Sequence, residues 1–209
     1  LGWRDANGRD LGADALWSPV PGAAGMVLNF RSPEGISVTR SIRLDDDFMF
    51  TVTDRVANEG AAAQSLTPFA QVRRVNRPKT AGFFILHEGP LGVFNATLKE
   101  VGYDDLDETP RIDAQSTGGW IGITDKYWLA AVIPDQAEPI TARFQRTLDG
   151  GRDVFTTETI GRERKLEPGS AVELTQRVFA GAKEVRLMDR YADELGIARF
   201  DLAIDFGWF

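Results

Sequence analysis

Residues 36 to 53 read Ile36-Ser37-Val38-Thr39-Arg40-Ser41-Ile42-Arg43-Leu44, then Asp45-Asp46-Asp47, then Phe48-Met49-Phe50-Thr51-Val52-Thr53. Apolar side chains fall mostly on every second position either side of a polar triplet. That is the period of a half-buried strand, whose successive side chains point to opposite faces. Phe48, Phe50, Val52 and Val56 alternate with Met49, Thr51 and Thr53, so the stretch predicts a hairpin of Ile36 to Leu44 against Phe48 to Val56 that turns at the aspartates.

The same grammar extends outward. Ile140, Ala142, Phe144 and Leu148 lead into Asp149-Gly150-Gly151 and on to Val154 through Ile160, a second hairpin; Val172, Leu174, Gln176 and Val178 form a further strand after the Pro168-Gly169 turn. Strands follow one another without helices of ten or more residues between them. This predicts an all-β fold of antiparallel sheets packed as a sandwich, in place of a parallel nucleotide-binding sheet. A chain of 209 residues suits one such domain and hides roughly 70% of its unfolded surface on folding, so burial alone stabilises it.

The period changes near the end. Val185, Met188, Tyr191, Ala192 and Leu195 recur at spacings of three and four, one face of a helix over Ala182 to Leu195, with Gly196 as its stop. Phe200, Ala203, Ile204, Gly207 and Trp208 share a second face, beside an acidic stripe of Asp201 and Asp205. The expected division is a sandwich over residues 1–181 and a C-terminal helical segment over 182–209. The chain opens at Leu1-Gly2 and stops on Phe206-Gly207-Trp208-Phe209, and it reads as a piece of a longer protein.

Composition narrows the chemistry. Lys and Arg number 24 against 31 Asp and Glu, a net charge of -7 that repels phosphate backbones. Only Arg73, Arg74, Arg77 and Lys79 make a basic run, so no nucleic-acid partner is expected. With no cysteine there is no disulfide and no thiolate metal site; with His87 as the sole histidine there is no two-histidine metal site. His87 lies where a strand runs into the Gly89-Pro90 turn, without a G-x-S-x-G motif, and reads as a partly satisfied surface residue. The acidic groups Asp45-Asp46-Asp47 and Asp104-Asp105-Leu106-Asp107-Glu108 lack calcium-loop spacing and read as solvated turns. Neither Gly22-Ala23-Ala24-Gly25 nor Gly118-Gly119 has the context of a phosphate loop, so no nucleotide cofactor is expected. Of the five tryptophans, Trp120 and Trp128 are conceivable platforms for a sugar, although filling the core is the commoner use of tryptophan in a sandwich.

Gly119-Trp120-Ile121-Gly122-Ile123-Thr124-Asp125-Lys126-Tyr127-Trp128-Leu129-Ala130-Ala131-Val132-Ile133-Pro134 resembles the GWIGITDKYWLAAxIP stretch of the bacterial YidC membrane insertases, with Asp125 and Lys126 at a hairpin turn. Phe179-Ala180-Gly181-Ala182-Lys183-Glu184, followed by Phe200 through Trp208, is similar to that family's approach to its second membrane helix. The resemblance implies a twisted β-supersandwich followed by helices, facing the periplasm of a Gram-negative cell from a protein of the inner membrane. It implies insertion and folding of nascent inner-membrane proteins, alone or with the Sec translocon, and contact with SecF in some members, without ATP or metal. The family's working groove lies in its membrane helices, so the resemblance implies no catalytic, cofactor-binding or metal residue in this chain. A non-catalytic carbohydrate-binding module is the alternative. At the tail, Met188, Tyr191 and Leu195 are expected to dock the helix on the sandwich, and Phe200, Ile204 and Trp208 to form a membrane-proximal hinge; packing of that second face on the sandwich is the competing expectation.

Overall fold

Period-2 alternation becomes strand along most of the chain. In the computed structural model, which describes residues 1–79 and 86–205, the elements in order are β1 (Gly2–Arg4), β2 (Ser18–Pro19), β3 (Met26–Arg31), β4 (Ile36–Leu44), β5 (Met49–Asn58), β6 (Gln64–Val75), β7 (Gly89–Phe94), β8 (Thr97–Glu100), a single-turn α1 (Asp105–Glu108), β9 (Arg111–Thr117), β10 (Trp120–Thr124), β11 (Trp128–Ile133), β12 (Pro139–Asp149), β13 (Arg152–Ile160), β14 (Arg164–Leu166), β15 (Ala171–Ala182), α2 (Val185–Glu194) and a 3-10 turn (Phe200–Ala203). The strands form two antiparallel sheets, in the orders β2-β3-β4-β5-β15-β11-β10-β7-β8 and β1-β6-β13-β12-β9, with β14 also paired to β6. The expected all-β sandwich is the fold.

The chain divides into two compact units, Leu1–Phe69 with Gly161–Val178, and Ala70–Ile160 with Phe179–Phe209. In the first, β4 and β5 pair from Ile36↔Asn58 to Leu44↔Phe50, the hairpin read from the sequence. Trp3, Phe30, Ile36, Val38, Val56, Leu66 and Leu166 fill its core. One detail differs from expectation: Met49, assigned to the polar side, is buried. The Asp45 carboxylate accepts hydrogen bonds from the Asp47 and Met49 amides, so the turn runs on to Met49 and Phe48 drops out of the strand's alternation.

In the second unit, β12 and β13 pair from Thr141↔Ile160 to Asp149↔Arg152 around Gly150-Gly151, both at positive φ as a two-residue hairpin turn requires. The motif strands β10 and β11 pair from Ile121↔Val132 to Thr124↔Leu129, and β7 lies on the other side of β10. Trp120, Phe144, Phe155, Phe179 and Phe200 are fully buried, and Phe94 of β7 meets Phe144 of β12 edge-to-face at 5.9 Å, which joins the two layers. Trp120 is therefore core. Trp128 is not: it is 59% exposed at the first position of β11, a correction to its reading as core. The helix at the tail is shorter than the expected Ala182 to Leu195, because β15 continues through Ala182.

Candidate functional site

The tail packs within the second unit through a ladder of rings. Tyr191 of α2 lies 6.1 Å from Phe179 of β15 and 6.4 Å from Phe200; Phe200 lies 5.6 Å from Phe179 and 5.3 Å edge-to-face from Trp120 of β10. Edge-to-face geometry places the positive ring edge on the negative face of its neighbour, adding attraction to the area buried. Met188 and Tyr191 are buried and Leu195 is half-buried. Leu187 is buried as well, whereas Val185, read as part of the apolar face, is 44% exposed. As the first residue of the helix it faces outward, and Leu187 completes the stripe with Met188 and Tyr191 at the offsets of three and four.

Phe200 is fully buried, Ile204 is half-buried, and Trp208 lies outside the described residues. Trp120 and Phe179 cover the Phe200 ring. Gln136 fastens this arrangement. Its Oε1 accepts hydrogen bonds from the Gly119 and Ala198 amides, both at 3.1 Å, and its Nε2 donates to the Gly119 and Pro134 carbonyls at 2.9 Å. One amide side chain so joins the base of the motif hairpin to the tail. The sequence offered a weak signal for it, since Gln136 lies two residues beyond the Gly119–Pro134 motif.

A second tie lies at the tip of the same hairpin. Arg74 of β6 grips Asp125 through two 2.6 Å hydrogen bonds and also donates to the Tyr103 hydroxyl. The guanidinium holds the Asp125 carboxyl below its ordinary range, and burial pushes the Tyr103 phenol up. The Lys126 amide donates to Glu88, the Lys183 amide to the Tyr127 carbonyl, and the His87 amide to the Asp205 carboxylate at 3.1 Å. Burial pushes the Lys183 ammonium down, opposed by Asp205, Asp125, Glu88 and Glu100. Asp205 of the tail, His87 and Glu88 before β7, and the turn between β10 and β11 therefore meet. Beside them, a shallow cavity of about 310 Å³ is lined by Arg73, Arg74, Asp125, Trp128 and the ends of β6, β11 and β15.

The groups considered for chemistry are occupied otherwise. The His87 ring bonds the Pro90 carbonyl at 2.9 Å through Nε2. Arg77 pairs with Asp104 and Asp107, and Arg74 with Asp125, so half of the basic run is neutralised locally. Among the described residues, no three His, Asp or Glu side chains gather as a metal site would need. The one buried cluster of charge in the first unit, Asp54 with both Arg40 and the Trp3 indole, is a satisfied structural network.

The family model for the YidC periplasmic domain matches residues 1–209. A membrane protein insertase YidC of Sinorhizobium fredii is 39% identical over 211 residues, covering 98% of this chain and 36% of the relative. The corresponding protein of Methylorubrum extorquens is 40% identical over 225 residues (100% and 36%), and that of Rhizobium etli 41% over 211 (98% and 35%). The chain thus spans little more than a third of the length of the curated relatives it matches. Among solved structures, the GH36 alpha-galactosidases AgaB and AgaA of Geobacillus stearothermophilus align over 92% of this chain and 31% of theirs, with TM-scores of 0.54 and 0.53 at 12% and 11% identity. That likeness is one of fold alone.

Proposed function

This chain belongs to the YidC periplasmic-domain family, and from that premise we propose that it is the periplasm-facing part of an inner-membrane protein insertase, a module for interaction and positioning. The observation that carries the reading is a match over the whole chain, at about 40% identity, to proteins named as insertases. The clients are nascent inner-membrane proteins, taken alone or with the Sec translocon, and SecF is a candidate contact. The role is non-enzymatic and needs no cofactor. Its supports are a single histidine engaged by a backbone carbonyl and carboxylates engaged by arginines or turn amides.

In this reading, residues 182–209 are the segment that leads toward the membrane. Met188, Tyr191 and Leu195 dock it on the sandwich, and Phe200, Ile204 and Trp208 form the membrane-proximal hinge. The ring ladder and Gln136 then set how the sandwich is carried above the membrane. The test is complementation in a strain that depends on the full-length protein. Tyr191→Ser and Leu195→Ser should impair client insertion or protein level more than Asp46→Ser in the exposed turn does. Normal growth and insertion after deletion of 182–199 would remove the role assigned to this segment.

A further inference from the structure

We propose that the tip of the β10–β11 hairpin is a membrane-interface contact, with the Tyr127 and Trp128 rings seated among lipid headgroups and Lys126 beside them. Tyr127 is 63% and Trp128 59% exposed. Trp3 and Trp120 are buried and Trp17 is half-buried, so Trp128 stands apart among the described tryptophans. The two rings have no part in the core, and the turn backbone that carries them is hydrogen-bonded. The Asp125 amide donates to the Trp128 carbonyl at 2.9 Å, the Thr124 hydroxyl donates to the same carbonyl at 3.2 Å, and Leu129 next in the strand is buried. The Arg74 grip on Asp125 fixes the turn from below. A rigid turn thus displays two amphipathic rings, and the Lys126 ammonium sits 5.0 Å from the Tyr127 ring centroid.

The residue types select the partner. Tyr and Trp prefer the boundary between headgroups and acyl chains, where an apolar ring and a polar N–H or O–H are both accommodated, and a lysine beside them suits lipid phosphate. A protein partner fits less well. Two side chains bury about 150–250 Å² each, well below the roughly 800 Å² per partner of a stable interface. A bilayer asks for no such area when the chain is already tethered to it. Position supplies the tether: the Lys183–Tyr127, Lys126–Glu88 and His87–Asp205 hydrogen bonds set the tip near Lys183 and Asp205 of the tail. The inference rests on the reading of that tail as membrane-proximal.

The chain has no cysteine, which makes single labels practicable. In the full-length protein, freed of any cysteine elsewhere and reconstituted in phosphatidylethanolamine–phosphatidylglycerol vesicles, a nitroxide is placed at Y127C, W128C, W208C or L148C; Leu148 is an exposed reference near the β12–β13 turn. The ratio of collisions with oxygen to collisions with a water-soluble nickel chelate should be severalfold higher at 127 and 128 than at 148. Aqueous ratios at 127 and 128 with a lipidic ratio at 208 would overturn the hairpin contact and leave the tail reading standing. Aqueous ratios at all positions would overturn both, and a lipidic tip with an aqueous 208 would keep the contact and remove the tail reading. A label at 127 or 128 that is immobilised but shielded from both reagents marks a protein partner and overturns the proposal.

Discussion

Asp113 stands between two guanidiniums, Arg111 on its own strand and Arg143 directly across the β9–β12 ladder, and hydrogen bonds from both, Arg111 the stronger influence, hold its carboxyl down at about 2. A carboxyl whose folded value lies below its unfolded one stabilises the fold above the unfolded value, and that stability is lost as pH falls through about 2. With the side chain about a third exposed, solvent screening leaves about 1 kcal/mol of it. Asp113→Asn should therefore lower urea stability by that amount at neutral pH, and the difference from wild type should close as the titration approaches pH ~2. A second residue carries a steric demand. A Cβ on Gly119, at φ +87°, would come within 2.0 Å of the Val93 carbonyl oxygen, so Gly119→Ala should cost more than about 2 kcal/mol, read in the same melts. Residues of this kind were only partly legible. The sequence displays its period, which exposed the strand holding Arg40, but it does not display register, and register alone sets Arg40 opposite Asp54 and Arg143 opposite Asp113. The satisfied state of His87 was legible because its partner, the Pro90 carbonyl, is local.

Helix α2 has no side-chain cap at Glu184 and no basic residue in its last turn, so packing and not its termini holds it in place. Met188 and Tyr191 should then carry most of its stability. Met188→Ala and Tyr191→Ala are each expected to cost about 2–5 kcal/mol, whereas exposed Val185→Ala should stay within about 0.5 kcal/mol. Denaturant midpoints of the isolated chain check the ranking, and a Val185→Ala loss equal to that of Met188→Ala would show the helix seated on another face. The 3.6-residue period made this element and most of its buried stripe legible. Its first turn was not, because the sequence does not mark where β15 yields to helix: Val185 opens the helix on the exposed side, and Leu187 stands inward with Met188 and Tyr191. At the β10–β11 hairpin, the family motif marked the turn at Asp125 and Lys126. The outward Trp128 escaped because hydrophobicity alone assigns a tryptophan in such a strand to the core.

At the scale of the whole chain, the two units are interleaved in sequence: the first is completed by residues 161–178 and the second by 179–209, and the passages from one to the other fall inside β6, directly after β13, and inside β15. Alternation announced β4, β5, β12, β13 and most of β15, and hence the sandwich class, but it carried no mark of these passages, since a strand that leaves one unit for the next keeps the same period. The passages have an energetic consequence. β6 pairs with β1 and β14 through Gln64 to Phe69 in the first unit and continues toward Val75 in the second, so neither unit can lose its sheet without releasing a strand that the other uses. Local opening that stops at a unit boundary would leave unpaired backbone donors and acceptors in mid-strand, each costly when buried. Unfolding is therefore expected to be a single transition despite the two units. Native-state hydrogen exchange in rising urea should bring the amides of β4 and β5 and those of β12 and β13 onto one common opening free energy, with calorimetric and van't Hoff enthalpies in agreement. Separate isotherms for the two hairpins, or two calorimetric peaks, would show that the shared strands do not couple the units.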